Sequence, residues 1–373
     1  MMGNLRALHQ VGQLSFSCPN CLATSSFCDK MIENSVAELV LGLGTSHSPQ
    51  VSAPSESWLE FGEGDAKRAG FQYLGVDGET RSYDELLALA DPDVRNELEH
   101  HVIVGKYRRI QLAVGLLAEE LDNARADVVI VIGDDQMELF QDDGIPSIAI
   151  FGTEVLNFIP RPKESLASMP RGRESSLWAT TVKVPEQHPG MPKLAYQLAL
   201  SFRNAGIEIT YATKQAENRS FGHAFTFVRK RLLSGITIPL LPITVNTYLP
   251  PNQPTAKRCL EIGKALVSGI ELFPQNIRVA VVASGGLSHF VVNSRLDKEF
   301  LGALQSGDLG VITEIPDKHF RSGNSEILNW AILAGMAHAA GFKFKLFDYI
   351  PGYRSPAGTG CGMAFAKWFP PHK

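Results

Sequence analysis

Short unbroken apolar runs alternate along this chain with stretches in which apolar residues recur every three or four positions. The run at 128–132, VVIVI, is the clearest of the first kind. It is continuous and β-branched, which is the pattern of a strand covered on both faces. Similar runs lie at 36–43, 145–151, 207–211, 238–245, 278–283 and 342–349. Between the first two runs of this set, Ile103, Tyr107, Ile110, Val114, Leu117 and Leu121 mark one face of a long amphipathic helix over 101–121. Helical spacing returns at 192–205, 255–270 and 324–340. Strand and helix thus alternate, which predicts an α/β fold: one domain with a central, mostly parallel or mixed sheet flanked by helices.

Two stretches break the rhythm. Residues 52–100 are polar and interrupted by Gly and Pro, with one helical patch at 83–89. Residues 152–190 hold Pro160, Pro162, Pro170, Pro185 and Pro189 among scattered charges. Both read as insertions into a domain spanning 36–373, the second as a surface excursion or lid. Residues 1–35 read as a poorly ordered N-terminal extension that the fold does not need.

At 373 residues, 44% hydrophobic and 20% charged, the chain can bury a large core without a second domain. A net charge of −4 with no Lys/Arg-rich run argues against a nucleic-acid surface. No apolar run reaches the roughly 18 residues of a membrane span. Cys18-Pro-Asn-Cys21 has the spacing of half a zinc site, but no second Cys/His pair follows nearby, so zinc is not expected there. With reduced thiols and no secretory pattern, the expected compartment is the cytoplasm.

Four places carry possible chemistry, three of them where strands end. His47, in GTSHSP, follows the first strand. It reads as a loop histidine bonded to a carbonyl or as a neutral imidazole free to coordinate. GDDQMELF at 133–140 brings Asp134, Asp135, Gln136 and Glu138 to the end of the 128–132 strand. A solvated turn with an Asx-type bond and a ligand-binding edge are equally consistent with it. VVASGGLSHF at 281–290 repeats the layout of His47 (strand, small residues, Ser, His), which favours a general acid or base at His289 over a purely structural histidine. Glu326, in NSEILNWAILAGM, opens a helix, where the dipole favours a carboxylate whatever the function. With imidazoles nearby it also supplies the anionic oxygen of a non-haem iron site.

Together with FGHAF at 221–225 and SEILNW at 325–330, these motifs stand in the order found in class III extradiol ring-cleavage dioxygenases. The chain resembles that family, in particular the catalytic (beta) subunit of protocatechuate 4,5-dioxygenase and the gallate and 3-O-methylgallate dioxygenases. The likeness runs over about residues 36–369 and leaves the two insertions uncovered. It implies Fe(II) held by His47 and Glu326, with His289 as the acid/base that takes a proton from a catechol-type substrate. It implies that His223 contacts substrate or bound oxygen, unless that residue is a helix N-terminal histidine satisfied by backbone. In the loop 352–362, Arg354, Ser355 and Thr359 would receive a ring substituent such as a carboxylate, unless Arg354 is a surface turn residue. The implied partners are a small aromatic diol and O2, with no nucleic acid and no membrane. A homodimer is expected, or else a separate small subunit.

The sequence departs from the family at the second iron-binding histidine, where it has Gln136. An amide oxygen is a weaker, neutral donor, and an oxygen-richer site also suits Mn(II). Three outcomes stay open. Gln136 ligates weakly; Asp134, Glu138 or His223 supplies the third ligand; or the metal is lost and the chain is a non-enzymatic binding or regulatory protein on the same fold. A metal-dependent hydrolase built on His47, Glu326 and an aspartate of the 134–135 pair is a further alternative. Retention of His47, His289 and Glu326 together makes a kept metal the expectation.

Overall fold

The computed structural model describes residues 36–371 apart from 143, 168, 170, 171 and 234, so the expectations for 1–35, including the Cys18/Cys21 pair, lie outside the described residues. The centre is an eight-stranded sheet. In chain order its strands are β1 (Glu38–Thr45), β2 (Val128–Asp134), β3 (Ile148–Phe151), β4 (Thr210–Ala212), β5 (Leu240–Val245), β6 (Arg278–Ser284), β7 (Lys343–Tyr353) and β8 (Gly360–Phe369). Across the sheet they stand β7-β8-β1-β6-β2-β5-β3-β4. The four central strands β1, β6, β2 and β5 are parallel. β3 runs antiparallel to β5, and β8 antiparallel to β1. The sheet is therefore mixed around a parallel core, as the alternation of runs predicts.

Side-chain alternation divides the core in two. Val128, Ile130 and Ile132 point into one cluster, and Val129 and Val131 into the other. The long helices are α1 (His100–Asn123), α2 (Pro192–Asn204), α3 (Ala256–Glu271), α4 (Ser294–Ser306) and α5 (Ile327–Ala339). Ile110, Val114, Leu117 and Leu121 of α1 cover one face of the sheet, while α2, α3 and α5 cover the other. Helix α5 is buried from Ile327 to Ala337, so it is apolar all round. It crosses α3 at two glycines. A Cβ at Gly263 would lie 2.0 Å from the Ile332 carbonyl oxygen, and one at Gly335 2.3 Å from that of Leu260.

The sequence reading names neither α4 nor β8. Leu296, Phe300, Leu301 and Leu304 do have helical spacing and are buried, whereas β8 opens on glycines that weaken a strand signal. Its pairing with both β1 and β7 supplies what local propensity lacks. The 152–190 excursion contains a hairpin, Val155–Phe158 with Glu186–Pro189, and three short helices, Lys163–Ala167, Arg173–Ser176 and Leu177–Thr180. No helix among the described residues is long and apolar enough to cross a membrane.

Register sets the position of the site. Thr45 is level with Ser284, Ser284 with Gly133, and Asp134 with Val245. Four parallel strands thus end at one edge, where ligands gather in open α/β sheets.

Candidate metal and substrate site

His47 leaves the end of β1 beside Ser284. Ser284 Oγ donates to the Ala224 carbonyl at 2.8 Å, so it accepts from His47 Nδ1 at 2.9 Å. That bond fixes the proton on Nδ1 and leaves the Nε2 lone pair free. His289 is held in the same sense, with Nδ1 donating to the Leu287 carbonyl at 2.9 Å. Its ring lies over Gly286, where a Cβ would come within 2.3 Å of Cε1. Helix α5 secures this turn: Asn329 Nδ2 donates to the Ser284 carbonyl and Trp330 Nε1 to that of Gly285. The SEILNW motif is thus a carboxylate followed by the two side chains that hold the neighbouring turn.

Glu326 is buried at the start of α5. Its Oε1 accepts from the Tyr248 hydroxyl at 2.7 Å and its Oε2 from the Gly286 N–H at 2.9 Å. Oε2 also lies 3.3 Å from His47 Nε2 and 3.2 Å from His289 Nε2. Burial works against the charge, but His289, His47 and the Tyr248 bond outweigh it and hold this carboxyl well below the usual range. Burial and the Glu326 charge push Tyr248 well up, so it remains a phenol that donates.

Asp134, the last residue of β2, is fully buried. Its Oδ1 is 3.8 Å from His47 Nε2 and its Oδ2 is 3.4 Å from His223 Nε2. His223 begins the short helix His223–Phe227, and Glu138 meets it there, accepting from its backbone N–H at 3.1 Å and from Nδ1 at 2.9 Å. A Cβ at Gly222 would lie 1.8 Å from Glu138 Oε2, so any larger residue there would push that carboxylate aside. Arg161 completes the group with a bond to Glu138 Oε1. Burial opposes charge on His223, but Glu138 and Asp134 prevail and raise it well above its ordinary value.

His47, Asp134 and His223 each offer a ligand atom, all within 4.8 Å of one another. His47 Nε2, Asp134 Oδ1 and His289 Nε2 are buried and make no hydrogen bond among the described residues. Buried polar atoms without partners need an explanation, and a cation held between them provides one. Two imidazole nitrogens with buried carboxylates, the His223 ring backed by Glu138 and that of His47 by Ser284, fit a divalent first-row metal.

Of the residues singled out in the sequence, His47, His223, His289 and Glu326 converge. Gln136 is exposed at the rim; its amide nitrogen donates to Asp134 Oδ2 at 3.0 Å and lies 3.4 Å from His223 Nε2. Both aspartates of that turn are buried, but the Asp135 carboxylate is occupied by the Glu138, Leu139 and Phe140 N–H groups, and the oxygen left without a partner among the described residues is Asp134 Oδ1. Arg354 is buried rather than a surface turn residue, and its fork closes on Asp65 through Nε at 2.7 Å and Nη2 at 3.1 Å. Ser355 and Thr359 are also buried, and their hydroxyls bond each other at 2.7 Å. A cavity of about 660 Å³ opens over the cluster, within the size range of small-molecule sites. His47, Gln136, His223, Tyr248, His289 and Glu326 line its floor, while Arg354, but neither Ser355 nor Thr359, is in its wall. Sequence reasoning missed Tyr248 and the part played by Ser284. Tyr248 follows β5 at the same sheet edge, and that position was its only available signal.

Comparison with known proteins places the chain in a family. Residues 117–351 match the family model described as the catalytic LigB subunit of aromatic ring-opening dioxygenase. A gallate dioxygenase of Pseudomonas putida is 32% identical over 125 residues, which cover 31% of this chain and 36% of that protein. The match therefore spans about a third of the relative's length.

Proposed function

Because the chain belongs to the family of catalytic LigB subunits of aromatic ring-opening dioxygenases, we propose that it is an extradiol enzyme that opens a catechol-type ring beside its diol with both atoms of O2. The observation that carries this reading is the convergence beside one cavity of His47, Asp134 and His223, with Glu326 Oε2 3.3 Å from His47 Nε2, and the unpartnered buried atoms His47 Nε2 and Asp134 Oδ1 among them. His47, His223 and Asp134 are the metal-holding residues in this reading, with Glu326 beside them. Fe(II) is the proposed ion and Mn(II) the alternative that an oxygen-rich set admits. Asp134 takes the part that an imidazole at 136 would have played, and Gln136 orients it. When bound, the metal supplies Lewis acidity and a redox centre for O2.

The remaining work falls to the protein. His289 Nε2 faces the cavity from a ring fixed by Leu287, so it accepts the proton of a substrate hydroxyl and later returns it. Tyr248 keeps Glu326 anionic and aimed. The cavity walls hold the ring still against the cluster. The product class is a ring-opened semialdehyde or dicarboxylate, and the substrates proposed are protocatechuate, gallate, 3-O-methylgallate or close relatives.

The test is oxygen uptake by protein loaded anaerobically with Fe(II), offered each of those three diols and catechol. Uptake that disappears in His47→Ala and Asp134→Ala, together with the bound iron, supports the reading. Uptake in neither wild type nor Gln136→His, with no iron bound, counts for a binding protein on the same fold.

A further inference from the structure

One peptide group aims His289. The imidazole Nδ1 donates to the Leu287 carbonyl at 2.9 Å, and the N–H of that same peptide unit, on Ser288, donates to Asp297 Oδ1 at 2.8 Å. A peptide is a rigid trans plane in which N–H and C=O point opposite ways. Pinning the N–H against α4 therefore turns the carbonyl toward the imidazole. Asp297 is fully buried, and its Oδ2 accepts from the Ser288 hydroxyl at 2.7 Å and from the Tyr349 hydroxyl at 2.8 Å.

We propose that Asp297 is the positioning residue of His289: acting through the Leu287–Ser288 peptide, it holds the imidazole with its proton on Nδ1 and its bare Nε2 toward the cavity. This rests on the ring-opening reading above for what His289 does, and deepens it by naming the carboxylate that stands behind that histidine, one peptide away.

Three observations support the assignment. First, both oxygens of the carboxylate are spent on Ser288, whose Oγ in turn accepts from the Asn293 N–H at 2.9 Å. Bonds to a carboxylate are charge-assisted, and an N–H held by one polarises its own carbonyl, which makes the Leu287 oxygen a stronger acceptor for Nδ1. Second, the turn is strained. Phe290, next to His289, has φ 63°, and the Val291 N–H donates back to the His289 carbonyl at 2.8 Å, the rare form of three-residue turn. Such backbone persists only where its surroundings over-determine it, and it collects at functional sites. Here the His289 N–H is tied to Asn324 Oδ1 at 2.7 Å and the Phe290 carbonyl to the Gly360 N–H at 2.9 Å. Third, β8 meets the turn backbone to backbone. The Gly362 N–H donates to the Ser288 carbonyl at 2.8 Å and the Leu287 N–H to the Gly362 carbonyl at 3.0 Å, while a Cβ at Gly362 would lie 1.9 Å from Asp297 Oδ2.

Asp297 does not itself line the cavity, so a change there reaches the substrate only through the turn that carries His289. In sequence it is one carboxylate on an amphipathic helix, and only the docking of α4 on the Leu287–Ser288 peptide distinguishes it.

The experiment reads the His289 tautomer by nitrogen-15 NMR of the full chain without added metal, at about pH 8, where imidazole is ordinarily neutral and Asp297, raised to about 6, is ionised. His289→Gln assigns the signals. Wild type should carry the proton on Nδ1, and so should Tyr349→Phe, which loses a bond to Asp297 but keeps both bonds to Ser288. Asp297→Ala should show a mixture of tautomers, and Asp297→Asn, which keeps a neutral acceptor for the Ser288 N–H, should recover part of the wild-type state. In oxygen uptake by iron-loaded protein, Asp297→Ala should lower kcat about ten- to a hundredfold, part of what a positioned base contributes, with KM little changed. A proton that stays on Nδ1 in Asp297→Ala, or an equal change in Tyr349→Phe, overturns the inference. Should Asp297→Ala fail to fold, wild type decides: scalar couplings from the Ser288 nitrogen to the Asp297 carboxyl carbon and from His289 Nδ1 to the Leu287 carbonyl carbon should both be present, and the absence of either overturns it. Uptake also separates the two claims. An Asp297-dependent tautomer in a protein that takes up no oxygen with any diol leaves this inference standing and removes the ring-opening reading, whereas uptake at wild-type kcat in Asp297→Ala does the reverse.

Discussion

Ser284 decides which nitrogen of His47 faces the cavity, because its own proton is committed to Ala224. Ser284→Ala should therefore leave the fold intact but weaken metal binding about 10- to 100-fold, the usual cost of losing a partner behind a ligand. Anaerobic titration with Fe(II) or Co(II) checks this, and an unchanged affinity would remove Ser284 from the site. Gly222→Ala should act through Glu138, since its Cβ overlaps that carboxylate and displaces it from His223. Activity should fall as far in this variant as in Glu138→Gln, and the two changes combined should cost little more than either alone. His47 and His289 were visible as chemistry in the sequence because apolar runs place them just past strands at a sheet edge, whereas Glu326 opens a helix and His223 begins one. The choice among Asp134, Gln136 and Glu138 was not visible, since three polar side chains in one turn differ only in where the turn aims them. Tyr248 was silent for a related reason. Its partner, Glu326, is 78 residues away.

Helix α5 combines two tasks, filling the core and holding the Ser284–Gly286 turn, and its crossing with α3 leaves no room for a side chain at Gly335. Gly335→Ala should lower stability by about 1–3 kcal/mol, the usual range for overpacking. Gly302→Ala is the matched control. It lies exposed on α4 with nothing within 4 Å of its Cβ, so it should raise stability by up to about 1 kcal/mol through helix propensity. Urea denaturation of the two variants tests the pair, and the same sign for both would contradict this account of the crossing. At this scale the hydrophobic pattern reported well, because β2, β5 and β6 are buried on both faces and α1 on one. β8 was not legible, because Gly360, Gly362 and Lys367 obscure a strand whose order comes from two neighbours distant in sequence.

The assembled molecule also buries charge away from the cavity. Asp297 of α4 accepts from the Ser288 N–H and hydroxyl and from the Tyr349 hydroxyl, tying three elements together. Burial nevertheless pushes its pKa up to about 6 from an ordinary 3.8. The folded state then holds this proton at a pH where the unfolded chain has released it. Its contribution is most favourable below about pH 4 and declines as pH rises through 6, by at most about 3 kcal/mol. Asp135, raised to about 6 mainly by burial, adds a slope of the same sign, while depressed carboxylates such as Glu326 slope the other way. The informative quantity is thus the difference between wild type and Asp297→Asn. Relative to the variant, wild type should lose stability between pH 4 and 7 in chemical denaturation, and a flat difference would show that the hydrogen bonds cancel the burial. The central claim, that this sheet edge opens an aromatic ring with dioxygen, is tested most directly by mass analysis of the product formed from 3,4-dihydroxybenzoate under 18O2. The account predicts a ring-opened product carrying both labelled atoms, formed by wild type and absent with Asp134→Ala. A product labelled only from water, or turnover without oxygen, would contradict it.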